Sequence, residues 1–325
     1  MLAFVFRRLV QASLVMFTVA LIAFMLFQFV GDPVNNMLGQ DATPEQRQAL
    51  RRDLGLDSPF PVQFAHFVGN AVRGEFGLSL RQGQKVSTLI AERFPATLEL
   101  SLMAAALALL VGVPLGVHAA LKRGKASAQL SMLISLLGVS LPTFLIGILL
   151  ILVFSVLLKW LPSFGRGEVV QLGFWSTGLL TLDGWRHVLL PAITLAVFQL
   201  ALIMRLVRAE MLEVLRTDYI KFARARGLPN RVVYFGHALR NTLVPVITIM
   251  GLQLGSLIAF SIITETVFNW PGMGLLFIQA VAFPDTPVMA AYLCLISLIF
   301  VLINLLVDLL YFVVDPRLRV GGKGH

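Results

Sequence analysis

The sequence predicts an all-α integral membrane protein with about six transmembrane helices and cytoplasmic N- and C-termini. Three observations predict it. The 325 residues are 58% hydrophobic and only 13% charged, whereas soluble domains carry about 25% charged residues. Six stretches free of Asp, Glu, Lys and Arg are each long enough to form a spanning helix. The basic residues fall mainly on alternate sides of those stretches. At this length a soluble core cannot hide so much apolar surface, but lipid can.

The six stretches are Leu9–Gly31, Leu100–Leu121, Ala126–Leu158, His187–Met204, Asn241–Thr264 and Thr286–Val307, from 18 to 33 residues long. A spanning helix needs roughly 20 residues at about 1.5 Å rise each. The longest stretch contains Pro142 and is followed by Leu161-Pro162. One tilted helix plus an apolar loop is expected there. Orientation follows from Lys and Arg. With a cytoplasmic N-terminus, 16 of the 26 basic residues lie inside: Arg7 and Arg8, Lys122 to Lys125, Arg205 to Arg240, and Arg317 to Lys323. That is the expected bias of cytoplasmic segments. The net charge of +9 therefore faces anionic inner-leaflet lipid, and no nucleic-acid partner is called for. The single Cys294 lies in the last apolar stretch, so there is no disulfide framework. The start MLAFVFRRLV opens an apolar run longer than a signal-peptide core, with no A-x-A site after it. It reads as an uncleaved first helix.

The chain divides into residues 1–31, with the first span; residues 32–96, an outside segment with short helices; and residues 97–325, a five-helix core. In the outside segment, Thr43-Pro44-Glu45-Gln46 reads as a helix start. Thr43 caps, Pro44 suits the first helical position, and Gln46 reaches back. That helix should end near Gly55. Phe60 to Val72 mixes Phe60, Phe64, Phe67, Val68 and Val72 with polar residues. It suits a helix at the membrane surface or a cap over a pore mouth. Gly112-x-x-x-Gly116 and Gly251-x-x-x-Gly255 offer close helix contact.

The most informative segment is cytoplasmic, Arg205 to Arg240. Within it, Thr217 to Gly227 has the marks of a short, separately capped helix. Thr217 or Asp218 caps the start, and Arg224 and Arg226 occupy the last turn. Gly227 fits the left-handed position beyond the end, and Pro229 prevents continuation. Ala223 and Ala225 are small and allow another surface to approach the backbone.

Here the chain resembles a family. Ala223-Arg-Ala-Arg-Gly227, followed by HALRNTLVP (His237–Pro245), resembles the cytoplasmic EAA-type motif of ABC importer permeases. It is closest to the dipeptide, oligopeptide and nickel (DppB/OppB-like) form. Gly227 matches the motif's glycine and Pro245 its closing proline. The Glu of the general motif is Lys221 or absent here, and the Gly-to-Pro spacing is longer; both are typical of the peptide-type subgroup. FRRL (Phe6–Leu9), Gly31-Asp32-Pro33, LGLDSP (Leu54–Pro59), GEFGLSL (Gly74–Leu80), RFPATLEL (Arg93–Leu100), TETVFNWPGMG (Thr264–Gly274) and LVDLLYFVVDPRLR (Leu306–Arg319) extend the resemblance over nearly the whole chain.

The resemblance implies a type I ABC importer permease fold in the bacterial inner membrane, with residues 32–96 periplasmic. It implies pairing with a second permease (DppC/OppC-like), two ATPase subunits, and a periplasmic or lipid-anchored substrate-binding protein. ATP and Mg would be bound by the ATPase subunits, and no cofactor by this chain. The coupling helix, about 217–227, would dock on an ATPase subunit through Asp218, Tyr219, Ala223, Arg224, Ala225, Arg226 and Gly227. Peptides are the implied substrate, with nickel, glutathione or opines as alternatives.

Other chemistry is absent from the sequence. A phosphate loop needs Gly-Lys followed by Ser or Thr. Here Gly124-Lys125 and Gly322-Lys323 are followed by Ala126 and Gly324. H-E-x-x-H and G-x-S-x-G do not occur, and the five histidines are scattered, so neither catalytic residues nor a metal site is expected. A gradient-driven secondary transporter is the alternative to an ATP-driven one. It needs midplane ion sites, often with repeated halves; neither clear repeats nor a central acidic pair is present. Glu265, Asn269, Trp270, Pro271 and Gly272, at the outer end of the fifth span, suit an outer gate or, equally, an interfacial Trp holding the helix end. Asp308, near Asn304 in the last span, suits either the pathway or helix packing. Glu99 falls at the start of the second span.

Overall fold

The computed structural model describes residues 2–29, 43–53 and 57–314. Gly31-Asp32-Pro33, Gly55 and the basic C-terminal residues Arg317, Arg319 and Lys323 lie outside them. The helices are α1 (Leu2–Phe29), α2 (Pro44–Asp53), α3 (Phe60–Val72), α4 (Val86–Leu121), α5 (Ala126–Ser140), α6 (Thr143–Leu150), α7 (Leu182–Val214), α8 (Asp218–Ala225), α9 (Leu239–Val267), α10 (Met273–Ala282) and α11 (Thr286–Val314). Wider π-type turns extend α6 over Ile151–Leu157 and precede α9 over Val232–Ala238.

Five helical segments are long and apolar enough to cross a membrane: Phe6–Leu26, Val86–Leu121, Leu182–Val214, Val232–Val267 and Thr286–Leu309. A bent pair, Ala126–Ser140 with Thr143–Leu157, makes a sixth when counted as one span. The pair corrects the expected single tilted helix, because its halves meet at 107°. The cause is Pro142. It has no N–H to donate and crowds the residue before it out of helical geometry. Leu141 accordingly sits at φ −86°, ψ 135°.

The spans outrun their uncharged cores. α4 starts at Val86 and takes in Glu92, Arg93 and Glu99, so the division drawn at residue 96 falls inside a helix. α7 starts at Leu182 and continues past Arg205 and Arg208 to Val214. Charge marks where lipid ends; backbone hydrogen bonding carries the helix on into water. Two elements had no sequence-based expectation. One is a hairpin of β1 (Val170–Leu172) and β2 (Trp175–Thr177), antiparallel, with Val170 opposite Thr177. The other is α10, a short apolar helix before the last span.

At the start of α2, Thr43 N–H donates to Gln46 Oε1 (3.0 Å) and Gln46 N–H to Thr43 Oγ1 (3.3 Å), a reciprocal capping box. The aromatic stripe of α3 packs along the first span. Phe60, Phe64 and Phe67 surround Phe24, with centroids 5.2 to 5.7 Å away, within the usual aromatic range.

The most extensive helix contact joins α4 to α7. Small residues permit it. A Cβ on Gly116 would lie 2.7 Å from the Met204 carbonyl oxygen and 2.7 Å from Val207 Cβ. On Gly112 it would lie 3.1 Å from the Leu200 carbonyl oxygen. Without a hydrophobic force between lipid-embedded helices, such close backbone approach is a main source of attraction. Gly251 and Gly255 of α9 likewise receive Val307 and Phe300 of α11. The core cluster from these helices includes Ala104, Ala108, Ala196, Ile203, Val207 and Met211, and it extends to Ile220 and Ala223 of α8.

Gly116→Val should lower the midpoint of thermal unfolding in detergent, at a cost of roughly 1–3 kcal/mol for overpacking. Gly69→Ala, in α3 where an added Cβ meets nothing within 4 Å, should leave the midpoint unchanged or raise it slightly.

Candidate functional site

Two constellations stand out at opposite ends of the fold. The outer one is organised by residues 96–99 of α4. Thr97 Oγ1 donates to Glu265 Oε1 (2.7 Å) and accepts from the Met273 N–H (2.7 Å). Ser261 Oγ donates to the same carboxylate oxygen at 2.9 Å, and the Leu275 N–H donates to Glu265 Oε2 at 3.0 Å. The Leu275 N–H belongs to the first turn of α10, where amides lack helical partners and the dipole favours negative charge. The Trp270 indole N–H donates to the Ala96 carbonyl at 2.9 Å. Glu265 is wholly buried and Trp270 nearly so. The turn that brings them together depends on Asn269, at φ +44°. Asn adopts this left-handed conformation more readily than most residues. The Trp270 N–H then closes back on the Glu265 carbonyl at 2.8 Å.

One turn of α4 also serves the other side. Glu99 Oε1 accepts from Thr177 Oγ1 (2.7 Å) and from the N–H groups of Gly178 (3.0 Å) and Leu179 (3.2 Å). Its Oε2 accepts from Arg166 Nε (3.1 Å) and from Arg166 Nη2. Arg166 also donates from Nη1 to Ser176 Oγ (2.9 Å) and from Nη2 to the Ser176 carbonyl (2.7 Å), so the ion pair carries the hairpin with it. The guanidinium lies 5.9 Å from the centroid of the Trp270 ring, close enough for a cation–π attraction.

The residues proposed for an outer gate are therefore gathered in one place, but as an internal knot. Trp270 bonds inside the protein, which removes the interfacial reading. Gly272 and Gly274 let α10 approach: an added Cβ on Gly274 would lie 3.0 Å from Glu265 Oε2 and 2.6 Å from Ile262 Cγ1. Sequence reasoning placed Glu99 only by position and missed Arg166. An isolated Arg between two glycines has no spacing signal, and its partner is 67 residues away.

In the last span, Asp308 Oδ2 and Oδ1 each lie 2.9 Å from Arg8, from Nε and Nη2. This forked pair ties α11 to α1. Asn304 Nδ2 donates to the Phe300 carbonyl of its own helix at 2.8 Å.

The inner constellation is α8. Thr217 takes the N-cap position, but its hydroxyl donates backwards to the Val214 carbonyl (2.6 Å), and no side chain caps the helix. This corrects the expected cap: the preceding turn offers a nearer acceptor. Asp218 instead accepts from Lys221 Nζ at 2.8 Å, and that bond and charge hold its carboxyl below the usual carboxylate range. The end of α8 is as expected. Gly227 sits at φ +75°. Its N–H donates to the Arg224 carbonyl (2.9 Å) and the Leu228 N–H to the Ala223 carbonyl (3.3 Å), a Schellman closure.

Ile220 and Ala223 turn inward and are buried. Ala223, proposed for the docking contact on its size, thus belongs to the inner face, three residues from Ile220. Asp218, Tyr219, Arg224, Ala225, Arg226 and Gly227 are exposed. So is Phe222, at 64%, which is not among the residues expected from the sequence to dock. The Arg226 guanidinium lies 5.8 Å from the Phe222 ring centroid. Asn241 Nδ2 donates to Tyr219 Oη at 2.6 Å, which links α8 to the start of α9. Among the described residues no group of three metal-ligating side chains occurs.

Comparison with known proteins places this geometry. Residues 112–320 match the family profile described as binding-protein-dependent transport system inner membrane component, and residues 1–101 match its N-terminal counterpart. The chain is 43% identical over 334 residues to the di/tripeptide transport system permease protein DppB of Pseudomonas aeruginosa (strain UCBPP-PA14), covering 98% of this chain and 99% of that one. It is 40% identical over 320 residues to the glutathione transport system permease protein GsiC of Escherichia coli (strain K12), with the same coverage of 98% and 99%. A solved structure of the MetNI methionine ABC transporter, in an inward-facing conformation, shares the fold. The TM-score is 0.55 at 20% identity, over 70% of this chain and 96% of that one.

Glu99→Leu should destabilise the protein by about 3–5 kcal/mol, because it leaves Arg166 buried without its partner. The double variant Glu99→Leu/Arg166→Met should recover much of that loss. Melting of the two single variants and the double variant, read as a cycle, checks the coupling.

Proposed function

The chain belongs to the family of binding-protein-dependent transport system inner membrane components, and on that footing we propose that it imports short peptides as one half of a shared pathway. It is a multi-pass inner-membrane permease subunit of an ABC importer, in the DppB/OppB-like group. Such a subunit works with a partner permease, an ATPase and a substrate-binding protein. Family membership also sets aside the gradient-driven alternative. The observation that carries the substrate reading is the end-to-end similarity to a di/tripeptide permease. The similarity to a glutathione permease supports the alternative substrate, glutathione, a γ-linked tripeptide.

The finer assignments are part of the proposal. The second permease is DppC/OppC-like. Two ATPase subunits hold ATP and Mg and hydrolyse the nucleotide. The binding protein is periplasmic or lipid-anchored and delivers peptide to the outer face. α8 is the coupling helix. Its exposed Phe222, flanked by Arg224 and Arg226, suits insertion into a cleft, because buried aromatic anchors dominate such contacts. Its inner face, Ile220 and Ala223, is continuous with the main core. A push on the helix therefore reaches the spans. ATP closure of the motor opens the pathway outward, and hydrolysis resets it inward.

In liposomes holding the complete importer, Phe222→Ala should reduce ATPase stimulation by peptide-loaded binding protein about tenfold or more. Gly227→Val should do likewise, since a β-branched residue resists φ near +75°. Uptake of labelled dialanine should require ATP and survive collapse of the proton gradient. Full uptake and stimulation in both variants would remove α8 from the coupling role.

A further inference from the structure

A second feature of the outer face lies beyond the Glu265 knot. Glu92 and Arg93 of α4, with Arg166, Gln171, Ser176 and Pro271, line a cleft of about 350 Å³. The two charges sit about 10 Å further out along the helix than Glu99, at about 1.5 Å per residue. We propose that this cleft is a binding site for the two charged ends of a free short peptide, Glu92 taking the ammonium group and Arg93 the carboxylate.

Three observations point there. First, neither Glu92 nor Arg93 has a hydrogen-bonding or ionic partner among the described residues. They are neighbours in sequence, and adjacent residues on a helix do not face each other. The two opposite charges form no ion pair with one another. Second, the floor contributes no net charge of its own. Arg166 is committed to Glu99 and Ser176, and the Trp270 knot holds the neighbouring Pro271 in place. The cleft thus offers one free anion and one free cation over a neutral, rigid base. A simple anion meets Glu92, a simple cation meets Arg93, and an uncharged molecule satisfies neither; a zwitterion satisfies both. Third, the size suits two or three residues, since small-molecule sites run from about 300 to 1,000 Å³. The wall strand β1 also has one neighbour only, so its outer edge keeps unpaired backbone groups of the kind an extended peptide pairs with.

The site deepens the peptide-import reading and rests on it. It would hold peptide at the mouth after the binding protein lets go, and it would set a requirement for free termini within the permease itself.

The test is equilibrium binding to the assembled importer, without binding protein, in nanodiscs. The probes are dialanine, N-acetyl-dialanine and dialanine amide. The wild type should prefer dialanine over each blocked form by about tenfold, the loss expected for one charge-assisted hydrogen bond. Glu92→Gln should lose the preference for a free amine and keep the preference for a free carboxylate. Arg93→Gln should do the reverse. A misfolded variant does not produce this crossed pattern. Wild-type binding without either preference, or preferences that survive in the variants, overturns the proposal. Should the crossed pattern hold while the wild-type importer takes up no dialanine, the cleft stands and the import reading falls. Normal dialanine uptake without the pattern sinks the cleft alone.

Discussion

A carboxylate buried in a membrane protein must find donors or a cation, and Glu265 finds its donors on three helices. That requirement organises the outer half of the fold. Thr97 comes from α4, Ser261 from α9 itself, and the Leu275 N–H from α10. None of these segments can shift far without leaving a buried carboxyl group short of hydrogen-bond partners, which is costly. Two residues beyond Thr97, Glu99 repeats the arrangement. Positions two apart on a helix point about 200° apart, so α4 reaches the α9–α10 turn on one face and the hairpin on the other. The outer mouth is therefore held from a single turn of one helix.

The inner half follows a different rule. It is held by close backbone approach, through Gly112 and Gly116 of α4 against α7, and by an apolar core that runs into α8. Of the two constellations, α8 presents its side chains outward, whereas the Glu265 knot is buried. Pro114 inside α4 and Pro191 inside α7 lie between the two ends. Such features are where helices bend. The architecture thus joins the outer knot to the exposed inner helix α8 through spans that have identifiable bending points.

What the sequence made legible was local. Uncharged runs located the spans, and Lys and Arg oriented them. Thr43 and Gln46 announced their capping box, and Gly227 its left-handed turn, because in each case the partners are within a few residues. The bend at Leu141-Pro142 was half legible: the proline was visible, but not whether a neighbour would straighten the helix. The long-range partnerships were not legible at all. Glu99 and Arg166, or Thr97 and Glu265, are joined by folding across 67 and 168 residues, and nothing in either segment names the other. Thr217 misled for a related reason. It has the right chemistry for a cap, yet the hydroxyl finds the Val214 carbonyl first. Phe222 is legible only in the structure, because burial, not sequence, distinguishes an exposed aromatic from a core residue.

The central claim of the proposal is that α8 and the inner part of α9, joined by the Asn241–Tyr219 contact and a shared apolar core, move as one body driven from outside this chain. Spin labels at Lys221 and Ile247, both exposed, measure it directly in the complete importer. The account predicts the same distance between them in the nucleotide-free and ATP-bound states, while the Lys221 label shifts relative to a label on the partner permease. A Lys221–Ile247 distance that changes between those states would place a hinge between α8 and the span, and would contradict the account.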